Sequence, residues 1–287
     1  MENESQTKGL ENLGEKKERL LRILAGMDRA LVAFSGGLDS SFLLAVAKEA
    51  LGDKVVAATA SSPIHPMREL EIARKFCMEQ GIKHLVFESR EMSIDRFLEN
   101  PPDRCYWCKR AMLIQLKEMA EREGLGPILH GLNKDELRDY RPGNRAAQEL
   151  GIRAPLLEAG LGKREVRAIS KSMGLSVWNK PPLGCLATRV PYGQRITREK
   201  LAMVEQAEEF LLALGFEGVR VRHHGEMARV EVGQEAIYRL LTPGLRKDLV
   251  AHFRGLGFLY VALDIEGFVS GKMNRSLVKE DKEIEKK

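Results

Sequence analysis

A loop rich in glycine and serine, residues 35–41, carries the residue types that bind phosphate groups. The apolar run 30–34 before it predicts a buried strand, and the apolar-periodic segment 42–50 after it predicts a helix. A loop between a strand and a helix N-terminus offers unpaired backbone N–H groups and the positive end of the helix dipole. The sequence is not a Walker A motif, because the Gly-Lys-Ser/Thr ending is missing. We call residues 35–41 the phosphate loop; its candidate ligand-binding residues are Ser35, Gly36, Gly37, Asp39, Ser40 and Ser41.

Each residue type in the phosphate loop has a distinct use. Glycine allows the backbone to approach a phosphate closely, and serine hydroxyls add hydrogen-bond donors. The carboxylate of Asp39 is a suitable ligand for Mg²⁺.

Three of the four cysteines lie in segments predicted to be loops. Cys105 and Cys108 form a Cys-x-x-Cys just before a helix predicted over residues 111–123, and Cys185 follows a Pro-Pro-Leu-Gly segment. Two thiols at a helix start indicate metal binding, an iron–sulfur cluster or dithiol redox chemistry, or no joint role. Cys77 lies inside a helix predicted over residues 67–80 and is interpreted as a small core thiol.

Two other groups of polar residues are candidates for ligand binding. Asn133 and Asp135 follow a strand predicted over residues 127–131; they are suited either to ATP and Mg²⁺ or to capping the next helix. Arg220 and Arg222 alternate with valines on a predicted strand, which is compatible with a phosphate clamp or with a solvated strand face. Spacing alone favours the solvated face.

The elements that position these residues follow a β-loop-α-β order. This order predicts an α/β fold with a doubly wound parallel sheet, whose ligands bind beyond the carboxyl ends of the strands. After a linker at residues 190–193, the pattern changes to a smaller α+β arrangement. We therefore predict an ATP-pyrophosphatase domain over residues 1–189, a substrate and oligomerisation domain over 190–275, and a disordered charged tail over 276–287.

Composition narrows the class of protein. The chain has 287 residues, 44% hydrophobic and 30% charged, with a net charge of +5 and a pI near 9.0. The mild basicity suits phosphorylated substrates, and RNA less well. Because no apolar stretch reaches transmembrane length and the N-terminus does not resemble a signal peptide, we expect a cytoplasmic protein. Cysteines in such a protein indicate metal or redox chemistry rather than a disulfide framework.

The phosphate loop resembles the SGGxDS loop of the ATP-pyrophosphatase superfamily, which has an adenine nucleotide alpha hydrolase-like fold. Longer matches extend over almost the whole chain and make it similar to LarE-type ATP-dependent sulfur transferases. The matching segments are residues 35–40, 100–109, 139–143, 178–180, 188–193, 219–222 and 267–274.

The resemblance implies ATP cleavage to AMP and pyrophosphate, with Mg²⁺ near Asp39. It also implies a role in making the nickel-pincer nucleotide cofactor, in which a carboxylate of pyridinium-3,5-biscarboxylate mononucleotide is adenylated and becomes a thiocarboxylate. Some family members sacrifice a single loop cysteine and lack the Cys-x-x-Cys. This chain resembles the other branch, in which Cys105, Cys108 and Cys185 hold a [4Fe–4S] cluster that carries sulfide.

The resemblance further implies that Arg220 and Arg222 hold the substrate phosphate and that Arg189 and Glu208 lie on the substrate side. A carboxylate that binds metal in the sacrificial branch corresponds to Arg239, so that site is not transferred. The implied partners are a small nucleotide substrate and a sulfide donor, with a homo-oligomer and no membrane or nucleic acid. Three alternatives stay open: a tRNA-thiolating enzyme, an amide-forming ligase such as an NAD or GMP synthetase, and a zinc-stabilised nucleotide-binding module.

Overall fold

The computed structural model describes residues 2–138, 142–181 and 184–277 and divides the chain into two compact units. Unit 1 consists of Met1–Ser62, Met67–Glu91 and Cys105–Leu183, and unit 2 of Pro63–Pro66, Met92–Arg104 and Gly184–Lys287. The border between functional domains at residue 189 stays a prediction. The compact units change between residues 183 and 184 and assign two N-terminal segments to unit 2.

Helices and strands alternate through the first half of the chain. The helices are α1 (Glu2–Ala25), α2 (Leu38–Leu51), α3 (Met67–Glu79), α4 (Asp95–Leu98), α5 (Arg104–Arg122), α6 (Pro142–Glu149), α7 (Pro155–Glu158), α8 (Lys163–Ser172), α9 (Arg198–Ala213), α10 (Ile237–Leu240) and α11 (Pro243–Gly255). The strands are β1 (Ala30–Ala33), β2 (Val55–Ser61), β3 (Lys83–Glu88), β4 (Ile128–Leu129), β5 (Arg220–His224), β6 (Met227–Glu231) and β7 (Tyr260–Leu263).

Unit 1 contains a parallel four-stranded sheet in the order β3-β2-β1-β4. Strand β1 pairs with β2 on one side, Ala30 opposite Val55, and with β4 on the other, Leu31 opposite Ile128. The strand order therefore reverses beside β1, and in such sheets the crevice at this point binds ligands. The phosphate loop follows β1 directly.

Apolar cores cover both faces of this sheet. Val32 in β1 packs into one core with residues of α1, α2 and α8, whereas Leu31 packs into another with residues of α5. Successive strand residues point to opposite faces, so helices must lie on both sides. The predicted α/β fold with a doubly wound parallel sheet is confirmed.

Unit 2 contains a three-stranded mixed sheet in the order β5-β6-β7. Strands β5 and β6 are antiparallel, and β6 and β7 are parallel. Its core combines inward residues of β5 and β6, such as Val221 and Val230, with residues of α9 and α11, such as Leu211 and Phe253. This is the α+β arrangement that the sequence predicts.

The start of α5 differs from the prediction. The helix begins at Arg104, not after Cys108, so both cysteines lie inside its first turns. The reason is local: Pro101 and Pro102 precede the helix, where proline is tolerated, and the Arg104 N–H donates to the carbonyl oxygen of Pro101 at 3.0 Å.

Two sequence predictions fall partly outside the described residues. The predicted tail begins at Ser276, the last residue of the 3-10 helix Lys272–Ser276, and residues 278–287 lie outside the described part. Residues 139–141 of the matching segment 139–143 lie outside it as well. Among the described residues, no helix is both long and apolar enough to cross a membrane.

Candidate functional site

Hydrogen bonds within the phosphate loop fix its shape in unit 1. The hydroxyls of Ser35 and Ser40 share a hydrogen bond of 3.0 Å, and the Ser40 hydroxyl also donates to the Gly37 carbonyl at 3.1 Å. The N–H of Gly37 donates to the Ser35 hydroxyl at 3.4 Å. The loop then enters α2, whose first turn contains Asp39. The structure therefore places a preformed turn at a helix N-terminus, where backbone and hydroxyl donors favour a phosphate.

Two close backbone approaches make glycine necessary around this loop. Gly36 adopts a φ of +69°, and a Cβ there would lie 3.3 Å from the carbonyl oxygen of Glu69. A Cβ on Gly131 would lie only 2.9 Å from the backbone nitrogen of Ser40. The segment after β4 thus packs directly on the start of α2, so the two candidate segments share one edge of the sheet.

Asp39 forms polar contacts with both Asn133 and Lys163. The Asn133 side-chain amide donates to one carboxylate oxygen at 3.3 Å, and the Lys163 ammonium group contacts the other in an ion pair. Sequence reasoning missed Lys163, which is the first residue of α8 and lies 124 residues from Asp39. A Gly-Lys pair at a helix start is its only local signal. A cation beside the phosphate loop is suited to neutralise nucleotide phosphates.

Asn133 and Asp135, which local sequence treats alike, have different contacts. Asn133 contacts Asp39 at the phosphate loop. Asp135 instead accepts the backbone N–H of Lys163 at 2.7 Å, which caps the start of α8. The capping interpretation therefore holds for Asp135, and the site interpretation for Asn133.

Lys180 is a second residue that sequence reasoning missed. Its ammonium group donates to the Gly36 carbonyl at 3.0 Å and to a carboxylate oxygen of Glu69 at 2.7 Å. Both side chains of this ion pair are largely buried. Lys180 therefore ties the phosphate loop to α3.

His130 lies at the same sheet edge, directly after β4. Burial, assisted by the nearby positive charge of Lys109, lowers the pKa of His130 to about 3. The imidazole is therefore neutral at physiological pH and adds no charge to the site.

The cysteines lie in different environments, and none forms a disulfide in the described part of the chain. Cys105 is exposed and Cys108 half-buried on the first turns of α5, three positions apart and hence on neighbouring parts of one helix face. Cys77 is buried, and burial raises the pKa of its thiol to about 12, so its interpretation as a core residue is confirmed. Within each unit, the described residues assemble no group of three or more His, Cys, Asp or Glu side chains that would hold a metal ion.

In unit 2, Arg189 and Glu208 form a buried bidentate ion pair. The guanidinium donates to both carboxylate oxygens, at 2.8 and 2.9 Å, and each side chain is 1% exposed. The same guanidinium donates to the carbonyl oxygens of Gly184, at 2.8 Å, and Cys185, at 3.2 Å. Glu208 also accepts the backbone N–H of Val221 at 3.0 Å. Arg189 therefore holds the backbone that carries Cys185.

Arg220 and Arg222 are buried in unit 2, so the solvated-face interpretation of β5 is wrong. Arg222 forms a bidentate ion pair with Glu231, at 3.1 and 2.8 Å. The guanidinium of Arg220 lies over the Phe268 ring, 4.8 Å from its centroid. The alternation of valine and arginine does mark a strand, but Glu231 and Phe268 cover its polar face.

Comparisons with known proteins agree with this geometry. A family profile described as queuosine biosynthesis protein QueC matches residues 29–96, which include the phosphate loop. An uncharacterised protein of Synechocystis sp. is 44% identical over 93% of this chain and 100% of its own length. A glutamine-hydrolysing GMP synthase chain of Pyrococcus horikoshii is 27% identical over 68% of this chain and 70% of its own length.

A third relative has a named activity. The pyridinium-3,5-bisthiocarboxylic acid mononucleotide synthase of Lactiplantibacillus plantarum is 37% identical over 93% of this chain and 96% of its own length. An identity of this extent spans both units. The chain therefore belongs to the LarE-type family of ATP-dependent PP-loop enzymes.

Proposed function

We propose that this chain is an ATP-dependent sulfur transferase that converts a carboxylate of pyridinium-3,5-biscarboxylate mononucleotide into a thiocarboxylate, in nickel-pincer nucleotide biosynthesis. The observation that carries the proposal is the 37% identity to the Lactiplantibacillus synthase over 96% of that enzyme. The preformed phosphate loop, with Asp39 and Lys163 beside it, supports the ATP-dependent half of the reaction.

The activating step uses the residues of unit 1. A carboxylate oxygen of the substrate attacks the α-phosphorus of ATP, pyrophosphate leaves, and an acyl-adenylate forms. The phosphate loop binds the departing β- and γ-phosphates, and Lys163 moves from Asp39 to these phosphates when Mg²⁺ binds the Asp39 carboxylate. A sulfur nucleophile then attacks the acyl carbon and AMP leaves.

For the sulfur source we propose a [4Fe–4S] cluster ligated by Cys105, Cys108 and Cys185. The donor chemistry fits: thiolates are the usual ligands of such clusters, and these three cysteines are at least partly accessible, whereas Cys77 is buried. Cys105 and Cys108 are about one helical turn apart, and Arg189 holds the backbone of Cys185. When bound, a cluster with three protein ligands has one open iron able to carry sulfide.

Unit 2 is the proposed substrate side. Arg220 and Arg222 supply the guanidinium groups for the substrate phosphate, and Arg189 with Glu208 keep the Cys185 segment in place. For the phosphate to be bound, Arg222 must share its donors between Glu231 and the ligand. We also propose that the protein works as a homo-oligomer, with residues 190–275 contributing to both functions.

The test is anaerobic reconstitution with iron and sulfide, followed by ATP, Mg²⁺ and the biscarboxylate mononucleotide. Mass spectrometry should detect thiocarboxylate product and equal AMP, with more than one product per polypeptide. A single turnover with loss of sulfur from Cys185 would support cysteine sacrifice instead. A colourless protein with stoichiometric zinc and no acid-labile sulfide would exclude the cluster.

The alternatives differ in their acceptors, so the same protein separates them. Binding of tRNA that weakens steeply with salt, without turnover of the pyridinium nucleotide, would favour tRNA thiolation. The Pyrococcus relative is, by its name, a GMP synthase that hydrolyses glutamine. Formation of a carboxamide with ammonia in place of a thiocarboxylate would favour an amide-forming ligase.

A further inference from the structure

Arg104, the first residue of α5, is a buried cation in unit 2. The residue is 2% exposed. The face of its guanidinium lies over the Tyr192 ring, 4.6 Å from the centroid, and Nη2 contacts the sulfur of Met273 at 3.5 Å. An aromatic face and a thioether stabilise a cation only weakly.

The other donors of Arg104 have no acceptor. Nε and Nη1 are buried and have no hydrogen-bond partner among the described residues, and no described carboxylate forms an ion pair with this guanidinium. The other buried arginines in the same unit contrast with it: Arg189 and Arg222 each have a bidentate carboxylate. A buried charge without a counter-ion is costly, so its retention needs a reason.

The surroundings hold Arg104 in place. Its N–H donates to the Pro101 carbonyl, and the Tyr192 hydroxyl donates to Asn274 at 3.1 Å. The side-chain amide of Asn100 donates to the carbonyl oxygens of Val190, at 3.1 Å, and Pro191, at 2.7 Å. The cation therefore lies in a fixed frame at the positive end of a helix dipole, which also favours an anion.

We propose that Arg104 binds an oxyanion, a carboxylate or a phosphate, of the enzyme's ligand through Nε and Nη1. Arginine presents these donors in a planar fork that matches both groups. Its identity as part of the nucleotide substrate rests on the proposed function, since that substrate carries ring carboxylates and a ribose phosphate. Nothing else in the described part of unit 2 neutralises this cation.

Three probes distinguish the two anions. Nicotinate mononucleotide carries a carboxylate and a phosphate, nicotinamide mononucleotide only the phosphate, and nicotinate riboside only the carboxylate. Binding of each is measured by titration calorimetry to the full chain and to Arg104→Met, which keeps a long apolar side chain but removes the charge. Arg195→Met is the matched control, because it removes an exposed arginine of the same unit that pairs with Asp95.

Arg104→Met should weaken the probes that carry the recognised anion by about tenfold or more, as expected for a lost charge-assisted hydrogen bond. Probes without that anion and the Arg195→Met control should bind as wild type does. Equal affinity of wild type and Arg104→Met for all three probes would overturn the proposal. Arg104→Lys keeps the charge without the fork and serves if Arg104→Met does not fold; wild-type affinity in this variant would also argue against a bidentate site.

The proposed function can fail separately. If wild type forms thiocarboxylate but Arg104 variants bind every probe normally, the anion site is wrong and the function stands. If wild type forms no thiocarboxylate while probe binding depends on Arg104, the oxyanion site stands and the substrate assignment falls.

Discussion

The Lys180 ammonium group donates a hydrogen bond to the carbonyl oxygen of Gly36, across 144 positions of the chain, at 3.0 Å. Gly36 is the residue of the phosphate loop with a left-handed backbone, and its carbonyl would otherwise be held only by the loop itself. Glu69 completes the arrangement as the ion-pair partner of Lys180. The phosphate loop is thus shaped by a residue just upstream of the Cys185 segment.

Removing Lys180 should impair both stability and ATP use. Lys180→Met leaves Glu69 largely buried without its cation, which should lower the free energy of unfolding by roughly 2–5 kcal/mol. Urea denaturation measures this, and pyrophosphate release measures the loss of loop geometry. Adding Glu69→Gln should restore much of the stability but not the activity. The control is Lys75→Met, an exposed lysine on α3; if Lys180→Met behaves like it, the positioning role is wrong.

Lys163 should matter for catalysis more than for folding. Its side chain is 35% exposed, so Lys163→Met should change stability by no more than about 1 kcal/mol. Loss of a cation that stabilises developing phosphate charge should lower the rate of AMP formation by about 100-fold or more. Lys16→Met, which removes the partner of Glu165 on the same helix α8, is the matched control. Comparable rates for the two variants would remove Lys163 from the site.

Acid should destabilise unit 1 through His130. Its pKa is about 3 in the folded chain and near 6.5 when unfolded, so the unfolded state binds the extra proton. The contribution is present in full above pH 6.5 and is lost as pH falls towards 3, with about 2 kcal/mol lost between pH 7 and pH 5. Urea denaturation at both pH values should show a smaller loss for His130→Asn. An unchanged pH dependence in this variant would contradict the assignment.

Arg189 and Glu208 should be strongly coupled. Because both are buried, either Arg189→Met or Glu208→Gln should cost about 3–5 kcal/mol, and the double variant less than the sum. Loss of Arg189 should also loosen the Cys185 backbone and increase the rate at which iodoacetamide alkylates this thiol. Arg195→Met, at an exposed pair, should change neither quantity appreciably. Additive effects of the two single substitutions would show that the pair is not a unit.

The sequence predicts those features that depend on neighbours in the chain. The strand, loop and helix around Ser35 are local, and so is the placement of Cys77 in a helix core. The start of α5 is predicted wrongly because a proline pair can end a loop and precede a helix equally well.

Features that depend on distant residues were not predictable. Lys163 and Lys180 lie 124 and 144 residues from their partners in the phosphate loop, and no spacing rule connects them. The burial of Arg222 depends on Glu231 across the hairpin, and that of Arg189 on Glu208 in α9. Alternation alone assigns a face to a residue but not what covers that face.

Glu208 joins three segments of unit 2: it lies in α9, binds Arg189 of the 3-10 helix Leu186–Arg189, and accepts the N–H of Val221 in β5. The three segments should therefore open together rather than separately. The Val221 amide proton then reports on the Cys185 segment, although the two residues are far apart in sequence. In deuterium exchange this amide should be among the slowest of unit 2, and its protection should fall whenever the Cys185 segment is released.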